Sequence, residues 1–170
     1  YLKMQEAKGL TNQIELTDFG GAVGGQWYWQ GFFDFAPGEA VILETELPET
    51  RRYWNVQLND ELWNAVEFVY RQSSLNGHQA RLDADGHFRA VIALEDPGVP
   101  NWLDPGGAQQ GMLIGRWYKA DSLPVPTLCR LSRARPTLCW PRPTLTATCH
   151  RPSLTTTPGQ TWVRSSSRNT

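Results

Sequence analysis

Three histidines, His78, His87 and His150, are the first residues to weigh, because an imidazole can ligate a metal or move a proton near neutral pH. A metal site of the cupin kind needs an HxH pair with a Glu and a later His converging on one ion. His78 and His87 are nine residues apart and neither has an HxH partner. No metal set and no cofactor is expected. Ser73-Ser74 precedes Asn76-Gly77-His78 without a G-x-S-x-G elbow, so these hydroxyls read as turn caps and not as nucleophiles. The glycines at 20–21 and 24–25 lack the strand-then-helix setting of a phosphate cradle. Among the carboxylates, Asp60-Glu61 follows a strand pattern, while Asp83 and Asp85 bracket a turn. General acid–base work would need two such groups in one cleft with unlike environments. Asp104 is set apart by Trp102 before it and Pro105-Gly106-Gly107 after it: a carboxylate on a glycine-rich loop beside an indole.

Aromatic excess is the other chemical signal. Trp27, Trp29, Trp54, Trp63, Trp102 and Trp117 are more indoles than a core of this size usually buries, and each N–H wants an acceptor. Some of them could line a hollow in an indole-rich interior, where rings and a few fixed polar groups hold an apolar or sugar-like guest. The residues expected to bind it are Trp102, Asn101, Asp104, Arg116, Arg89, Asn55 and Gln57. The preferred reading is a small-molecule or carbohydrate binding module acting with a missing upstream domain or another partner. A hydrolase using Asp104 with His78 or His87 and Arg116 is the alternative, although no catalytic set is defined. A third reading is an interaction domain whose exposed edge and aromatic patch meet another subunit, as in a homo-oligomer.

These side chains must be carried by strands. A two-residue period puts Val41, Leu43, Thr45 and Leu47 on one face of residues 40–47, with Glu44 and Glu46 on the other. In residues 51–58, Trp54, Val56 and Leu58 oppose Tyr53, Asn55 and Gln57. Residues 26–35 hold six aromatics and read as a strand, interrupted at Gly31. Asp85-Gly86 predicts a hairpin joining 80–84 to 87–94, and residues 111–119 a last strand with Arg116 opposite Trp117. Residues 13–16 suggest a further strand. Residues 62–70 fit a helix or a strand. Short strands punctuated by Gly and Pro predict an all-β domain, an antiparallel β-sandwich of jelly-roll type over residues 10–121.

Composition breaks after that point. All 17 acids lie in residues 1–121, whereas residues 122–170 carry seven Arg, no Lys and no acid, and repeat Pro-Thr-Leu. Such a segment is too poor in apolar residues to offset its ordering entropy, so a disordered tail is expected. The arginines are too scattered for a nucleic-acid arm, so no nucleic-acid partner is expected. A shift of reading frame near residues 122–130 would account for the loss of acids, Lys and periodicity together. Cys129, Cys139 and Cys149 form neither a zinc site nor a disulfide framework, and they read as thiols of the tail. No apolar run is long enough to span a membrane and no signal segment is visible, so a cytoplasmic location without membrane contact is expected.

The segments Trp54-Asn55-Val56-Gln57-Leu58, Asp85-Gly86, Pro100-Asn101-Trp102-Leu103 and Gly115-Arg116-Trp117-Tyr118, in this order, resemble a bacterial family catalogued as a domain of unknown function, DUF1214. The likeness covers roughly residues 38–126. It departs at Asp104, where that family commonly has Pro. The resemblance implies a jelly-roll-like β domain, often accompanied by a second β-rich domain, and it implies no established activity.

Overall fold

Two sheets face each other in the computed structural model, which describes residues 9–17 and 24–131. The strands are β1 (Ile14–Thr17), β2 (Gln26–Asp34), β3 (Ala40–Thr45), β4 (Tyr53–Asn59), β5 (Ser74–Asn76), β6 (Phe88–Ile92), β7 (Trp102–Leu103), β8 (Gln110–Tyr118) and β9 (Thr127–Leu131). The order β1-β2-β8-β4-β5 makes one sheet and β7-β6-β3-β9 the other. All pairings are antiparallel except β6 with β7. The protein is an all-β sandwich, and no helix occurs among the described residues.

The period-two pattern decides which side chains meet between the layers. Trp54, Val56 and Leu58 of β4, Leu113 and Trp117 of β8, and Trp29 and Phe33 of β2 face Val41 and Leu43 of β3 and Phe88, Ala90 and Ile92 of β6. Burial of each large side chain contributes about 1.5–3 kcal/mol. Trp117 packs 6.0 Å from Trp29 and 6.2 Å from Trp54, and Trp54 meets Phe88 edge-on at 4.8 Å. Gly115 makes room for this stack, since a Cβ there would lie 2.0 Å from the Trp29 ring. Trp29, Trp54 and Trp117 therefore fill the centre. The hollow, indole-lined interior expected for a guest does not exist between these rings, and a ligand must be sought on an outer face.

Four expectations need correction. β2 runs unbroken through Gly31, which faces Leu113 in register. A Cβ at Gly31 would lie 2.6 Å from the Gln13 carbonyl, so this glycine admits the neighbouring chain instead of ending the strand. The Asp85-Gly86 turn forms, but its first arm is no strand: only Leu82 bridges to Phe88. Residues 62–70 are neither helix nor strand. The fold also continues past residue 121, because β9 pairs with β3 from Ala40↔Leu131 to Glu44↔Thr127. Cys129 thus sits half-buried in a strand opposite Ile42. Residues 132–170, with Cys139, Cys149 and His150, lie outside the described residues, as do the glycines at 20–21.

Candidate ligand groove and its surroundings

On the outer face of the four-stranded sheet, β6 turns Arg89 and Val91 away from the core, and Val91 lies beside Trp102 of β7. Two loops rise over this strip. Residues 81–84 and 99–101, with Arg89 and Val91, enclose a groove of about 330 Å³ lined by Arg81, Leu82, Asp83, Val99, Pro100 and Asn101, among others. That volume falls at the lower end of small-molecule sites. Val91 is only 1% exposed although it faces outward, so the loops give the groove an apolar floor.

Asn101 holds those loops together. Its Nδ2 donates to the carbonyls of Arg81 (2.6 Å) and Arg89 (2.7 Å), and its Oδ1 accepts from the Arg81 amide (2.9 Å). Three of the four bonding positions of this buried amide are occupied by backbone, so Asn101 chiefly shapes the groove. Trp102 is similarly committed: its indole N–H donates to the Ala93 carbonyl at 2.9 Å.

Arg89 is neutralised in place. Its guanidinium reaches Asp83 (2.5 Å), Glu44 (2.6 Å) and Asp85 (2.9 Å). Three carboxylates against one cation leave a net negative cluster and hold the Arg89 proton more firmly than usual, the Asp85 hydrogen bond contributing most. Arg89 lowers the Asp85 carboxyl to about 2, helped by the His87 amide. The exposed guanidinium of Arg81, by contrast, makes no ion pair or side-chain hydrogen bond among the described residues. It is the groove's available cation, and the sequence reading passed over it. No local pattern marks it, since its position is set by Asn101, twenty residues on.

The other expected site residues lie elsewhere. Asp104 is buried, bonded to Arg71 Nη1 at 2.8 Å and accepting from the Gly106 amide at 2.8 Å. Its carboxylate anchors a loop. His78 lies in the turn after β5, and His87 stands 3.4 Å from Asp85 and 3.7 Å from Glu46. The proposed grouping of Asp104 with a histidine and Arg116 is thus not assembled. Among the described residues, no three His, Cys, Asp or Glu side chains group as a metal set.

Arg116, Asn55 and Gln57 share the outer face of the five-stranded sheet, where Arg116 lies between Tyr28 and Asn55 in register. The Arg116 guanidinium stacks 5.2 Å from the centre of the Tyr28 ring. Three buried polar atoms on this face have no hydrogen-bond partner among the described residues: Arg116 Nε, Asn55 Oδ1 and Gln30 Oε1. The expected site is therefore split between opposite outer faces of the sandwich, with Asp104 in neither.

No protein-family model and no curated protein matches the chain. Its fold is similar to that of an uncharacterised protein from Burkholderia cenocepacia known from a crystal structure, with 25% identity and a TM-score of 0.70 over 76% of this chain and 37% of that one. A looser likeness, at 17% identity and a TM-score of 0.49, joins 61% of this chain to 30% of the VPA0106 protein of Vibrio parahaemolyticus. The chain spans little more than a third of the Burkholderia protein's length. No helix of the described residues is long and apolar enough to cross a membrane.

Proposed function

We propose that this chain is a DUF1214-type sandwich module that binds a small, largely apolar acid in the groove between residues 81–84 and 99–101. The observation that carries the reading is the groove itself, whose apolar floor and walls (Val91, Leu82, Val99) meet a cation with no ion pair among the described residues, Arg81. The committed bonds of Asn101 and Arg89 keep the loops in place without ligand, which lowers the ordering cost of binding. Titration of aliphatic and aromatic monocarboxylates, their amides and neutral sugars, followed by amide chemical shifts, tests this. The acids bind, the matching amides bind less tightly, and Arg81→Ala weakens acid binding about two- to fivefold, the worth of an exposed ion pair. Equal binding of acid and amide, or indifference to Arg81→Ala, would refute it.

A second reading rests on the five-stranded face. Arg116 Nε, Asn55 Oδ1 and Gln30 Oε1 ask for one acceptor and two donors, the complement of a hydroxyl-rich molecule such as a sugar. Sugar binding abolished by Arg116→Ala and untouched by Arg81→Ala would favour this face.

A further inference from the structure

Arg116 stands on the outer face of the five-stranded sheet, directly opposite Asn55 on β4 and diagonal to Gln30 on β2. Its guanidinium stacks on the Tyr28 ring at 5.2 Å and makes no ion pair or hydrogen bond among the described residues. Arg71, Arg89 and Arg130, by contrast, each meet a carboxylate. Just past the end of β8, the Lys119 ammonium lies 5.7 Å from the Tyr118 ring, and it too has no ion pair among the described residues. Glu15, on β1, is two strands away from Arg116 and accepts from Gln30 Nε2 at 3.2 Å. The face therefore carries two cations held by stacking alone. A buried guanidinium edge and two amide oxygens without partners are costly until something completes them.

We infer that the occupant of this face is a sugar acid, a uronate whose carboxylate pairs with Arg116 and whose hydroxyls donate to Asn55 Oδ1 and Gln30 Oε1. The inference rests on the second reading above and specifies which sugar it concerns. A guanidinium is a rigid planar fork that a carboxylate fits with two parallel hydrogen bonds, and stacking on a ring leaves the rim of that fork open. Charge alone is not enough, because each amide oxygen needs a donor and repels added negative charge. A simple anion would satisfy Arg116 and leave both amides unmatched. A neutral sugar would satisfy the amides and leave the cation unmatched. Residues opposite each other in an antiparallel pair have Cβ atoms about 5 Å apart, and diagonal ones about 7–8 Å. One hexose ring with its substituents can therefore reach all three groups. Lys119 adds attraction for the same charge.

Titration of the full chain with glucuronate, galacturonate, glucose, galactose and inorganic phosphate, read from the side-chain amide shifts of Asn55 and Gln30, tests it. The uronates should bind about tenfold more tightly than their neutral parents, the gain from a charge-assisted pair on a half-buried cation. Arg116→Gln should erase that preference, and Arg81→Ala should leave it intact. Asn55→Asp, which gives Arg116 a carboxylate of its own, should erase it as well and serves where Arg116→Gln does not fold. Trigalacturonate binding more tightly than galacturonate would identify a unit of a chain as the source, and equal binding a free sugar acid; both accord with the inference. Neutral sugars that bind as tightly as uronates overturn it and leave the sugar reading standing. Phosphate that binds as tightly as uronate also overturns it. No shift at Asn55 or Gln30 with any sugar overturns both.

Discussion

Asp85 occupies the turn that feeds β6, and its carboxylate accepts from Arg89 and from the His87 amide. Those bonds favour the ionised form, which lowers its pKa from 3.8 to about 2 in the folded chain. A carboxyl more acidic when folded stabilises the fold above its unfolded pKa. Its contribution should be complete above about pH 4 and lost as the pH falls toward 2. Urea denaturation between these limits should show a shallower acid limb in Asp85→Asn than in the parent, and an identical limb would exclude this role. Asn101 and Asp104 make a related point. Both are expected from the sequence as binding residues, and both bond mainly to groups within the fold. A polar residue among Gly, Pro and Trp signals equally a loop that recognises and a loop that must be held. The choice depends on partners far along the chain, Arg71 for Asp104 and the Arg81 and Arg89 backbone for Asn101.

Strands β2 and β8 pair along all nine residues, from Gln26↔Tyr118 to Asp34↔Gln110, and they form the backbone of the five-stranded sheet. At their centre Trp29 faces Gly115, so the indole lies across the neighbouring strand where a side chain would otherwise stand. Gly115→Ala should therefore destabilise the protein by about 3 kcal/mol, as overpacking does in a filled core. Trp29→Leu should recover part of that loss, and a double-mutant cycle by urea denaturation measures the coupling. Additive effects would show that the two residues do not compete for space. At this scale much was legible: inward and outward faces of β3, β4, β6 and β8 follow directly from alternation. What escaped were the short strands β5 and β7, too brief for a period to register, and β9, whose half-exposed residues show no alternation, while the arm expected at 80–84 does not form a strand. Residues 62–70 misled because exposed apolar residues imitate a buried pattern. A sequence cannot tell an apolar residue turned to the core from one turned outward.

The chain passes between the layers repeatedly, with β1 and β2 in one sheet, β3 in the other, β4 and β5 back, β6 and β7 across, then β8 and β9. Its final described strand covers the edge of β3, Leu128 packs on the core, and the Trp117 indole N–H donates to the Pro124 carbonyl at 3.1 Å. A chain ending at Asp121 should thus have a Tm at least about 5 °C below one ending at Leu131. Equal melting temperatures would mean that β9 adds nothing.

Alternation and turn residues by themselves determined that this protein is a layered β structure and which side of its longer strands is apolar, because a strand's period is local. The collapse of charge and composition after residue 121 was equally plain, although the last described strand draws on that stretch. Only tertiary structure decided that the indoles fill the centre, that Arg89 and Asp104 are neutralised, and that Arg81 is left beside a groove. Those outcomes depend on which distant segments share a face, and pairing across a sandwich is set by the packing of the whole, which no window of sequence contains.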